Sequence, residues 1–219
     1  MTFEYNFSSH SIVSPGYLLC DVPQCVKIEL LDAIENISKI EDDCRETLAG
    51  HINQEYYLSM GDNIKYLIET MSEEYDKIFL NGISPFMDNF SYSKKGTNPL
   101  QVKYNLTNLW VNYSKKYDFN PIHSHYGIYS FVIWVKIPYD LNEEKKVYDK
   151  VNGNSQTSLF NFYYTDFLGK IQSIHLNVDK TWEWKMVFFP SQLNHSVHPF
   201  YTSDDYRISI SGNVGASSF

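Results

Sequence analysis

Residues 120–138 read NPIHSHYGIYSFVIWVKIP, and the change of character at Tyr126-Gly127 decides the kind of fold this chain can form. From Ile128 to Pro138 the run is β-branched, aromatic and apolar, bounded by a glycine and a proline, which is the signature of a strand. Just before it, His123 and His125 stand at i and i+2. In extended chain, side chains alternate between faces, so both imidazoles would point the same way and could meet one metal ion.

The same texture recurs downstream of about residue 97. LQVKYNLTNLWVNYS (100–114), SLFNFYY (158–164), SIHLNV (173–178), WEWKMVFFP (182–190) and YRISISGNV (206–214) are short strand-like runs. Turn formers such as Asn152-Gly153-Asn154 and Leu168-Gly169-Lys170 separate several of them. Upstream the period is helical. Val26, Leu30, Ile34, Ile37, Ile40 and Cys44 predict a helix over 25–48, ended by Gly50. Ile64, Leu67, Ile68, Met71, Tyr75 and Ile78 predict a second from Asp62 to about Asn81-Gly82. The expectation is one domain over 1–219. Residues 1–96 form a mainly helical layer packed on a mainly β body over 97–219, a two-sheet roll or barrel with a mouth for a ligand.

Composition agrees. With 219 residues and 43% of them hydrophobic, the chain can bury one substantial core. A formal charge of −8 argues against a nucleic-acid partner, and the pairs Lys94-Lys95, Lys115-Lys116 and Lys145-Lys146 read as solvated loop charges. Cys20, Cys25 and Cys44 are odd in number and lack zinc-ribbon spacing, which fits free thiols in a reducing compartment. The N-terminal residues have no basic region followed by an apolar stretch, and no run approaches membrane-spanning length. A cytoplasmic protein without a membrane partner is expected.

A third metal ligand would come from PSQLNHSVHP (190–199), where His195 follows the strand MVFFP and its turn. His198, three residues on, would face away in extended chain. All four histidines can also be read as hydrogen-bonded polar residues beside a core. In DDYRISISGNV (204–214), Arg207 and Ser209 share one strand face while Ile208 and Ile210 share the other. An arginine among apolar strand neighbours calls for an anion, and its planar fork suits a carboxylate, either a ligand's or that of a structural salt bridge.

In order and spacing, NPIHSH, YSFVIWVKIP, FPSQLNHSVHP and RISISGNV resemble the 2OG-Fe(II) oxygenases, non-haem enzymes that depend on Fe(II), 2-oxoglutarate and O2, and in particular a group frequent in marine bacteria and phages. The resemblance covers roughly residues 97–215. It implies a double-stranded β-helix, jelly-roll-like, with the metal at its mouth. By position, His123 matches the first metal histidine, His195 the distal one, and Arg207 the partner of the remote carboxylate of 2-oxoglutarate, with Ser209 assisting. His125 stands where most of the superfamily carry Asp or Glu, and is taken as the third ligand, with Asp118 the alternative carboxylate. Phe131 stands where many members have glycine, so its ring either fills the core or narrows the pocket, which Trp110 and Asn112 could also line. The implied reaction converts 2-oxoglutarate to succinate and CO2 while oxidising a prolyl-type peptide or a small metabolite. Two alternatives stand beside it: a three-histidine dioxygenase that needs no 2-oxo acid, and a non-catalytic jelly-roll module such as a virion accessory protein. A homodimer is a further expectation.

Overall fold

The computed structural model describes residues 16–38, 41–80, 102–147, 156–166 and 168–218. Ile40, Asn81-Gly82, Lys94-Lys95 and Asn152-Gly153-Asn154 lie outside the described residues. Two antiparallel sheets form the body. The larger has six strands in the order β1 (Leu18–Asp21), β8 (Lys185–Pro190), β5 (Tyr129–Lys136), β10 (Arg207–Ser218), β3 (Val102–Ser114), β2 (Gln54–Tyr57). The smaller has four, in the order β4 (Asn120–His123), β9 (Asn194–Val197), β6 (Phe160–Thr165), β7 (Ile171–Leu176).

The large sheet is buried on both faces, which explains the apolar run from Ile128 to Pro138. Tyr129, Phe131 and Ile133 of β5 face a core shared with α1 (Gln24–Glu35) and α2 (Asp62–Phe79). Val132 and Trp134 face a second core shared with the small sheet. A strand with apolar partners on both sides has no reason to alternate with polar residues.

The second predicted helix is α2, with Ile64, Leu67, Ile68, Met71 and Tyr75 buried at the expected spacing. Its Asp76 accepts hydrogen bonds from the Tyr104 and Tyr129 hydroxyls, tying the helix to β3 and β5. The first predicted helix is shorter than its periodicity suggests: α1 stops at Glu35 rather than near Leu48. Asn36 closes it by donating its side-chain amide to the Asp32 carbonyl. The chain then turns back, with the Tyr57 and Cys44 amides donating to the Asp42 and Glu55 carbonyls. These bonds carry the segment into β2, so the nominally helical third also supplies both edge strands of the large sheet. The short α3 (Leu141–Lys146) follows β5, capped by Asp140. The three cysteines are free. No helix among the described residues is long and apolar enough to cross a membrane.

Phe131 belongs to the core, at 1% exposure, and packs against Gly212 directly across the β5–β10 pair. A Cβ on Gly212 would lie 2.6 Å from that ring and 2.7 Å from the Asn108 carbonyl oxygen. Gly212→Ala is therefore expected to cost ~1–3 kcal/mol through overpacking, measured as a lower urea midpoint with an unchanged slope.

Candidate active site

The small sheet assembles the histidines. His123 ends β4 and lies opposite His195 of β9 in the strand register, with ring centroids 4.3 Å apart. His125 lies two residues past β4, and backbone contacts hold it. Its amide donates to the Ser191 carbonyl at 2.9 Å, and its carbonyl accepts from Gln192 Nε2 at 3.0 Å. Gly127 then turns the chain into β5 at φ 109°, where a Cβ would stand 2.6 Å from the Val214 carbonyl oxygen. Only glycine is comfortable there. One ligand-capable nitrogen from each of His123, His125 and His195 lies within 4.8 Å of the others.

Their chemistry suits a cation. His123 Nδ1 sits 2.7 Å from the Pro121 carbonyl and His195 Nδ1 sits 2.9 Å from the Leu193 carbonyl. A carbonyl accepts only, so Nδ1 carries the proton and the Nε2 lone pair is left for a metal. Burial first, and then the neighbouring imidazoles, push His195 down to about 3 and His125 down to about 4. Burial lowers His123 as well, so all three rings are neutral near neutral pH. Neutral imidazoles that converge on one point fit a transition metal such as Fe(II).

Arg207 supplies the second half of the site. It is 3% exposed, lines the same cavity as the three histidines, and lies across from Ser114 on β3. Nη1 donates to the His198 carbonyl at 3.2 Å, and the guanidinium lies 5.3 Å over the Phe200 ring. The Tyr139 hydroxyl lies beside the guanidinium, but Nη2 is buried and makes no well-formed hydrogen bond, and no carboxylate among the described residues pairs with Arg207. The structural salt bridge is thereby excluded among those residues. Ser209, one row away, accepts from Asn112 Nδ2 at 3.3 Å.

The remaining candidates separate cleanly. Trp110 and Asn112 line the cavity, and the Trp110 ring lies tilted against His125 with centroids 5.8 Å apart. Asp118 is not in the histidine cluster; its carboxylate accepts from the Lys115 amide and closes a turn. His198 is outside the cluster and offers Arg207 its carbonyl. Sequence reasoning missed Glu55. This residue of β2 is 2% exposed, lines the cavity, and faces Asn112 across the β2–β3 pair. Burial pushes its carboxyl up to about 7. A four-residue edge strand, QEYY, carries too little pattern to announce it.

A double-stranded β-helix whose small sheet gathers three imidazoles beside a buried arginine with no carboxylate partner has the donor set of a mononuclear metal centre with an anion site next to it. Residues 108–213 match the family described as "Putative 2OG-Fe(II) oxygenase". The match spans just under half of the chain and makes it similar to the 2OG-Fe(II) oxygenases, an oxidoreductase family whose members use Fe(II), 2-oxoglutarate and O2. A prolyl-4-hydroxylase from Pseudomonas putida superposes with a TM-score of 0.51 at 13% identity, covering 91% of each chain, and shows the same fold. The viral collagen prolyl hydroxylase of Paramecium Bursaria Chlorella virus-1 aligns with a TM-score of 0.42 at 12% identity, over 90% of this chain and 94% of that one. No curated protein sequence matches the chain.

The Glu55 carboxyl sets a pH signature. Its folded pKa lies above its unfolded value, so the folded state holds the proton more tightly, and stability falls as pH rises from the ordinary carboxyl range to about 7. Glu55→Gln removes that loss. Thermal midpoints of metal-free protein should show the variant gaining on the wild type at about pH 8 and little at about pH 5.

Proposed function

We propose that the protein is a hydroxylase in which His123, His125 and His195 hold Fe(II), and Arg207 with Ser209 holds the remote carboxylate of 2-oxoglutarate. The observation that carries this reading is the buried, unpaired Nη2 of Arg207 in the cavity of the three histidines. A buried charged donor without a partner costs several kcal/mol, and a bound carboxylate offsets that cost. A three-histidine dioxygenase that uses O2 alone gives Arg207 no such partner.

Fe(II), bound with 2-oxoglutarate and O2, supplies oxidative decarboxylation of the keto acid and oxidation of a substrate C–H bond. The chain's own residues do the positioning. The β4–β9 register aims two imidazoles, and the Ser191 and Gln192 contacts aim the third. Val132, Trp134, Phe160 and Phe189 form an apolar wall that excludes water and strengthens every electrostatic contact inside. An imidazole at position 125 leaves the centre one charge unit more positive than a carboxylate would. Prolyl peptides are the first substrates to assay, since the Pseudomonas putida relative is a prolyl-4-hydroxylase; small metabolites follow. The net charge of −8 supports a substrate other than nucleic acid.

Two variants separate the halves of the site. His123→Ala should abolish Fe(II) binding in anaerobic titration. Arg207→Ala should leave Fe(II) affinity nearly intact and weaken 2-oxoglutarate binding by roughly tenfold to a hundredfold, the worth of a lost charge-assisted bond. Equal turnover with and without 2-oxoglutarate would contradict the assignment.

A further inference from the structure

Only two buried side-chain polar atoms among the described residues lack a hydrogen-bond partner, Glu55 Oε1 and Arg207 Nη2, and both residues line one cavity. Burying such an atom without a partner forfeits the hydrogen bond it made to water, so the pair marks two points where a ligand completes the bonding. Arg207, a donor, is matched by the keto acid under the function proposed above. Glu55, an acceptor, is not matched by that dianion, which would repel an ionised carboxylate.

Nor do the two groups serve each other. Glu55 lies opposite Asn112 and Arg207 opposite Ser114, with β3 between them, which sets their backbones roughly 12 Å apart by strand spacing and rise. Arg45, whose charge reaches Glu55, is itself paired with Asp43. Leu48, Ala49, Trp110 and His125 line both this cavity and an adjoining outer groove, so the cavity has a route to the surface.

We propose that Glu55 is the substrate-recognition residue of this site and that the substrate carries a protonated nitrogen, an amine or a guanidine, which the Glu55 carboxylate binds. The inference rests on the oxygenase reading. Glu55 is the sole acid among the cavity-lining residues. A cationic nitrogen gives it a charge-assisted bond, about twice as strong as one from a neutral donor. The chain's −8 charge draws cations toward the site from a distance. With Fe(II) at +2, 2-oxoglutarate at −2, Arg207 at +1 and the Glu55 carboxylate at −1, the loaded cavity is formally neutral and does not oppose a cation at Glu55.

The experiment uses full-length protein loaded with Mn(II) and 2-oxoglutarate without O2, and reads the Mn(II)-enhanced relaxation of probe protons. The probes are butylammonium, butylguanidinium and the neutral 1-butanol. Both cations should bind about tenfold more tightly than 1-butanol. Glu55→Gln should erase that preference while Mn(II) and 2-oxoglutarate affinities stay within about twofold. Equal binding of 1-butanol by the wild type, which is independent of how the variant folds, overturns the proposal; so does a preference that survives in Glu55→Gln. Failure of the wild type to bind Mn(II) or 2-oxoglutarate overturns the oxygenase reading, and this inference with it.

Discussion

The pairing of β4 with β9 is the contact on which the rest of the site depends. Both strands are four residues long, and their register sets His123 opposite His195. A slip of one residue would turn one imidazole to the other face of the sheet and dissolve the cluster. That register is held from behind, because Phe160 and Phe162 of β6 pair with Val197 and His195 of β9. The Phe160 ring stacks on His195. The core between the sheets is therefore also the mounting of the histidine cluster.

Much of this was legible in the sequence where burial and pattern coincide. β5 and α2 are long, their partners are apolar, and periodicity reports them faithfully. Arg207 and Ser209 were legible because β10 alternates cleanly next to its isoleucines. The end of α1 was not legible. The apolar spacing persists through Ile37 to Cys44, but Cys44 is buried by pairing with Glu55 rather than by a helix face. Short strands hide for a related reason: β2 and β4 draw their stability from neighbours across the sheet, which no local window contains. Glu55 was invisible on both counts, as a charged residue on a short edge strand whose importance lies in what it faces.

The electrostatic design of the cavity follows from that geometry. Three neutral imidazoles and one buried guanidinium make a site that is positive once loaded with a metal, where a carboxylate ligand would have offset one charge. A dianionic cosubstrate suits such a site, and Glu55 is the one acidic side chain that lines it.

The histidine cluster and Arg207 line one cavity, so a ligand that meets both would couple them. Titration of 2-oxoglutarate into metal-free and Mn(II)-loaded protein, followed by calorimetry, tests it most directly. If the two halves share a ligand, binding is coupled and reciprocal: Mn(II) tightens 2-oxoglutarate by at least about tenfold, and 2-oxoglutarate tightens Mn(II) by the same factor. Equal 2-oxoglutarate affinity with and without the metal would contradict the account.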